Sequence, residues 1–284
     1  MTDAERIWQA IAAQKKVLGG VEDLAARRLA QLLVDLEREI ATALQRGLAG
    51  PASAGRMREL INEINGIFES GILQQADWMQ REIPRAVQGL FKLEQAQLGA
   101  TGFSLETIRD SWNAWGQTDK YVELLNEGYR NWWTQVLQRN EAYQSMLQGE
   151  LTRGMALGLD HRTIANALID RGRVIGVEMG NPEVWARRLV RTETTRLQND
   201  ISVSFSEEMG LTLFWNLGIA DERQSDICAE ASEQEPMTMD EWAASEWGLP
   251  PRHPNCRCDL LAWSNDWGLD YREVNQQPLE EVAA

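Results

Sequence analysis

The stretch "NPEVWARRLVRTETTRLQNDISVSFSEEMGLTLFWNLG", residues 181–218, changes period within its own length. Asn181 followed by Pro182 reads as a helix N-cap with proline at the first helical position, and Gly210 reads as the stop. Beyond Gly210, "LTLFWNLG" is rich in β-branched and aromatic residues and reads as a strand. A second strand is expected in "CRCDLLAW", residues 256–263, able to pair with the first as a short antiparallel sheet. The fold class that follows is mainly α, with a long N-terminal helical region and a small α+β C-terminal unit.

Between the two expected strands, residues 221–246 hold nine carboxylates against one arginine, which marks a solvated loop. Asp240 is the expected cap of a short helix ending at Gly248, so residues 211–265 read as strand, loop, helix, strand.

Toward the N-terminus the pattern is helical. In "VEDLAARRLAQLLVDLEREIATALQRG", residues 21–47, Leu24, Leu29, Leu32, Leu36, Ile40 and Leu44 recur near helical period until Gly47, Gly50 and Pro51. A second run carries Leu60, Ile61, Ile64, Ile67 and Phe68, and a third is expected from about Asp77 to Leu98, started or kinked by Pro84. Ser104 and Gly116 bracket a shorter helix, and residues 118–157 form another, with Tyr129, Trp132, Trp133, Val136 and Leu137 as its packing stripe. "LDHRTIANALIDRG", residues 159–172, is expected to be capped by Asp160 with His161 in its first turn. The expected organisation is a helical region over 1–150, a second region over 151–265, and an acidic, loosely held tail over 266–284.

The stretch "LPPRHPNCRCDLLAW", residues 249–263, holds two of the three cysteines and one of the two histidines. Cys256 and Cys258 are two apart, so on an extended segment both side chains face one way. With His253 before them and Cys228 in the preceding loop, the set Cys228, His253, Cys256 and Cys258 has tetrahedral zinc potential. The alternative is a small core of ordinary thiols beside a hydrogen-bonded turn histidine. A nucleobase deaminase is excluded because neither histidine is followed by x-Glu. Four protein ligands would close the site, as in structural zinc. A Cys–His nucleophile has no evident third orienting group and no glycine-rich oxyanion turn, and no phosphate loop or dinucleotide fingerprint occurs.

Composition narrows the class. Hydrophobic content of 43% with 25% charged residues describes a globular chain. No apolar run reaches membrane-spanning length, and the first residues lack a signal-peptide hydrophobic region, so a soluble protein used in a cytoplasm is expected, with its thiols reduced or metal-bound. A net charge of −15 disfavours general phosphate-backbone binding, so DNA affinity should be weak at most. Only Lys15, Lys16, Lys92 and Lys120 are lysines among 28 basic residues; this arginine excess, with 12 tryptophans, suits protein interfaces or equally a Trp-filled core.

The C-terminal motifs resemble the Mu F-like family of phage head-morphogenesis proteins, also described as minor head or portal-associated proteins. The resemblance rests on "RTETTRLQND" (Arg191, Thr192, Glu193), "FWNLGIADERQSDIC" (Trp215, Asp221, Arg223, Cys228) and "HPNCRC" (His253, Pro254, Asn255, Cys256, Arg257, Cys258), and it covers roughly residues 150–263. Members often carry a further cysteine three residues after the first, where this chain has Ala231, so a metal site here must use His253. What the resemblance implies is a non-enzymatic minor structural protein of a tailed-phage virion. It would join the portal protein, with major capsid or scaffold protein as further partners, in several copies around the portal ring. It would be assembled in the host cytoplasm and assist DNA packaging or delivery. Residues 1–150 would then serve assembly or portal contact. Arg191 is expected to tie its helix to the sheet through a carboxylate such as Asp221, the alternative being plain surface charge. Two competing classes stand beside this reading: a nuclease or toxin-like enzyme using the Cys/His cluster, and a DNA-binding module using the arginines between Arg171 and Arg196.

Overall fold

The computed structural model describes residues 3–47, 54–157, 163, 181–268 and 270–272. Its elements are α1 (Asp3–Gly47), α2 (Ala54–Ala100), α3 (Leu105–Trp115), α4 (Asp119–Ala156), α5 (Pro182–Glu208), β1 (Leu213–Leu217), α6 (Asp226–Ser232), α7 (Met239–Ala244) and β2 (Asp259–Trp263). A 3-10 turn over Asn265–Trp267 follows. The fold is mainly α with a two-stranded antiparallel sheet near the C-terminal end, as the sequence pattern requires.

Several boundaries differ from the sequence expectation, each for a physical reason. The runs around Ile64 and Leu90 are one helix, α2, which passes through Pro84. Between them only Gly71 interrupts the pattern, and it serves packing: a Cβ there would meet Leu36 Cδ1 at 2.8 Å. The first helix begins at Asp3 because Trp8, Ile11 and Ala12 already repeat at helical spacing. The segment carrying Cys228 is the short helix α6, not a loop, entered from Ser225. Helix α7 is capped by Thr238 rather than Asp240, because Thr238 and Glu241 form a reciprocal capping box. Strand β2 starts at Asp259, so Cys256 and Cys258 lie just before it. The segment 159–172, except Thr163, and the tail beyond Arg272 lie outside the described residues.

The chain divides into two compact units, and α1, α2, α4 and α5 each contribute to both. One comprises Ala25–Arg81 and Asn131–Arg187. Its core gathers Leu36, Ile40 and Leu44 of α1, Leu60, Ile64 and Phe68 of α2, and Leu147 and Leu151 of α4. The stripe read on α4 is such a packing face: Trp132 is buried against Trp78 at 5.6 Å between ring centroids.

The other unit comprises Met1–Leu24, Glu82–Arg130 and Arg188–Ala284. Its sheet pairs Phe214 with Ala262, Trp215 with Leu261 and Asn216 with Leu260. Strand alternation sends these residues to two different cores. Trp215, Leu217, Leu261 and Trp263 join Trp8, Ile11, Leu90, Leu93, Ile108, Trp115 and Phe205. Phe214, Leu260 and Ala262 join Val203, Ala231 and Trp242 on the opposite face. Both faces are covered, which is why "DLLAW" is a continuous apolar run after its first residue.

Helix α5 and α2 meet in this unit across a buried polar contact in which Ser202 donates to Glu94. Burial raises the Glu94 carboxyl to about 7, opposed by the Ser202 hydrogen bond. In an unfolded chain the same carboxyl titrates near its ordinary value of about 4.3. The folded state therefore holds the extra proton between these values, and stability falls as pH rises through that window. Glu94→Gln should remove this loss, because the amide carbonyl still accepts from Ser202. At pH 8 the variant is expected to be more stable than the parent by about 1 kcal/mol or more, the cost of an ill-satisfied buried charge. At pH 4.5 the gain should vanish. Thermal melts at the two pH values check this, and a pH-independent difference would contradict it.

Candidate metal centre

The Cys/His cluster is built by one turn and one short helix. His253, Pro254, Asn255 and Cys256 form a tight turn closed by the Cys256 amide donating to the His253 carbonyl at 3.1 Å. Proline takes the second position and Asn255 the third with φ of 66°, the arrangement of a type II turn. Asparagine tolerates the left-handed conformation this position demands. The turn places the side chains of His253 and Cys256 next to one another and opposite Cys228 of α6.

Three ligand atoms, Cys228 Sγ, His253 Nε2 and Cys256 Sγ, lie within 4.8 Å of one another. Cys228 Sγ is 3.8 Å from Cys256 Sγ and 3.1 Å from His253 Nε2. Two sulfurs of a tetrahedral zinc site stand about 3.8 Å apart when each bond is about 2.3 Å, so the spacing fits. His253 Nδ1 lies 2.9 Å from the Pro254 carbonyl, to which it donates, and this fixes the tautomer that turns the Nε2 lone pair toward the thiols. Ser225 Oγ lies 2.8 Å from the same nitrogen and donates to it. Cys258 packs in the thiol cluster, but its sulfur is not one of the two that converge with His253. Hydrogen bonds from Cys228 and Cys258 hold the Cys256 thiol well below its usual range, whereas its neighbours push the Cys258 thiol up.

The remaining motif residues brace this cluster. Asp221 takes both terminal nitrogens of Arg257, at 2.5 and 2.7 Å, and also accepts from the Arg223 backbone at 2.9 Å. These bonds, the Arg257 side chain first among them, hold the Asp221 carboxyl well below the usual carboxylate range. Arg257 thus occupies the carboxylate expected for Arg191, whose guanidinium stands 3.8 Å from Glu22 of α1 instead. Glu193 is buried and pairs with Arg196 at 3.2 Å, while the Arg223 side chain remains exposed. Trp215 lies in the core at 1% exposure and has no polar role at the site.

Helix α5 supplies the backbone partners that a third strand would otherwise provide. Thr192 Oγ1 accepts from Asn255 N, and Thr195 Oγ1 donates to Cys256 O. Asn199 donates to Cys258 O at 3.1 Å and accepts from Leu260 N at 2.7 Å. Arg252 ties the loop from the other side, donating to Asn216, Trp247 O and Gly248 O, and Asn216 passes the chain on through Ser232 to Cys228 O. Lys15 of α1 donates to Arg257 O at 2.9 Å and pairs with Asp259. Thr195, Asn199, Arg252 and Lys15 were not singled out from the sequence. A stripe of Thr192, Thr195 and Asn199 at helical spacing was the signal for two of them. Asn199→Ala leaves a buried amide and a buried carbonyl without partners, at about 1–3 kcal/mol each. Urea denaturation should show a loss of about 3 kcal/mol, and a loss under about 0.5 kcal/mol would contradict this role for the side chain.

Residues 145–261 match the family described as Phage Mu protein F like protein. No curated protein and no solved structure matches the chain.

Proposed function

Residues 145–261 being a Mu F-like segment, which supports a phage head-morphogenesis role for the chain, we propose that this protein is a minor head protein acting at the portal vertex. It joins the portal ring during procapsid assembly, in several copies, and assists DNA packaging or delivery. Its role is structural rather than enzymatic. The observation that carries this reading is how the motif residues are employed: Thr192, Asp221, His253 and Arg257 all bind other parts of the same unit. The Cys/His cluster holds a structural zinc ion through Cys228, His253 and Cys256, with Cys258, packed in the same thiol cluster, as the fourth ligand. Among the described residues, no helix is long and apolar enough to cross a membrane. Seven of the tryptophans are buried inside the units, so Trp abundance adds little to the interface argument. The portal contact rests on the family.

Co-expression with the cognate portal protein, followed by size-exclusion chromatography, tests the proposal. Co-elution with the portal ring is expected, and it should persist after nuclease treatment, because a chain of net charge −15 has little affinity for DNA at physiological salt. Separate elution at micromolar concentrations would overturn the portal assignment.

A further inference from the structure

A pocket of about 130 Å³ lies beside the Cys/His cluster, lined in part by Lys15, Glu22, Arg191, Gln198, Arg257 and Asp259. All of these belong to the unit that contains the sheet. Most of its charges are already committed. Arg257 is held by Asp221, and Lys15 by Asp259 and the Arg257 carbonyl. Two donors have hydrogen-bonding capacity left. Arg191 is ion-paired with Glu22 at 3.8 Å but makes no hydrogen bond to it. Gln198 is more than nine-tenths buried, yet its Nε2 has no acceptor. Such a buried orphan donor is costly unless something accepts from it.

Arg191 and Gln198 stand at positions i and i+7 of α5, with Thr195 between them, so they line one stripe about two turns long. One small anion cannot reach both ends of that stripe. A ligand with a carboxylate at one end and a second oxygen acceptor several ångströms away can. We propose that this pocket binds such a two-headed carboxylate, with the Arg191 guanidinium gripping the carboxylate and the Gln198 amide donating to the distal oxygen. The volume suits a molecule of roughly eight to ten non-hydrogen atoms, the size of a five-carbon dicarboxylate or of one acidic side chain with its backbone carbonyl. Burial raises the Glu22 carboxyl to about 7, against the pull of Arg191 and Lys15, so near neutrality the pocket has a cation in excess to offer. The proposal does not depend on the portal reading, since the pocket is formed within this chain.

Equilibrium dialysis of the full-length protein against radiolabelled glutarate tests it, with an acetylated, amidated Gly-Glu-Gly peptide as the second probe. One equivalent per chain is expected for at least one probe, with acetate at least tenfold weaker. Arg191→Gln should weaken binding at least tenfold and Gln198→Met several-fold, with the melting temperature of Gln198→Met close to the parent's. Tighter peptide binding assigns the natural ligand to an acidic side chain of a partner protein; tighter glutarate binding assigns it to a free dicarboxylate. No binding of either probe at 10-fold excess over millimolar protein, or undiminished binding by both variants, overturns the proposal.

Discussion

Residues 145–284 expressed without the preceding helices are expected to give no cooperative unfolding transition. The family match begins at residue 145, yet the unit that contains the sheet draws on Met1–Leu24 and Glu82–Arg130 as well. One face of that sheet is covered by Trp8 and Ile11 of α1, by Ile83, Val87, Leu90, Leu93 and Leu98 of α2, and by Ile108 and Trp115 of α3. Burying a large apolar side chain contributes about 1.5–3 kcal/mol. Losing nine of them matches or exceeds the whole stability of an ordinary domain, about 5–15 kcal/mol. The fragment also loses Lys15, which anchors the Arg257 carbonyl and Asp259, and Gln97, which donates to Ala262 O at 3.0 Å. Circular dichroism melts compare it with the full chain. A sharp transition near the parent's melting temperature would show that the N-terminal helices are dispensable for this unit.

Cys256→Ala in the full-length protein is the second large effect. Cys256 Sγ is fully buried between Cys228 and the turn, and its carbonyl is bound by Thr195. The substitution removes a ligand of the proposed zinc site as well as the centre of the thiol cluster. A destabilisation of about 4 kcal/mol or more is expected, the size associated with loss of a metal or of a buried network. Chelation of the parent protein should act in the same way. Hydrogen exchange should accelerate over residues 211–263, while amides of the Leu36, Ile64 and Leu147 core keep their protection. Uniform loosening of both units, or none, would separate the cluster from the stability of the sheet.

The helices and the strand after Gly210 were legible because their signals are local. Asn181 and Pro182 start α5, with Asn181 Oδ1 accepting from Glu183 N at 2.8 Å, and Ser104 caps α3 in the same way. Helix α6 was not legible, since seven residues carry too little periodicity to register. The convergence of Cys228 on His253 and Cys256 could be framed from spacing, because strand pairing brings the ends of the intervening segment together. The partner of Arg191 could not. Glu22 is 169 positions away in sequence, and only the path of α1 brings it there. Lys15 and Asn199 were missed for a related reason: one is a long-range anchor, and the other is a polar residue inside a helix whose use is set by the backbone opposite it.

Elemental analysis of the full-length protein, purified without a histidine tag, tests most directly the claim that "HPNCRC" forms a closed structural metal centre. The account predicts one zinc per chain, retained through dialysis, with Cys228, Cys256 and Cys258 unreactive to thiol reagents until the protein is denatured or the metal removed. A folded protein containing no zinc, unable to take it up when supplied, would contradict it and leave the three thiols as packing residues of the small sheet.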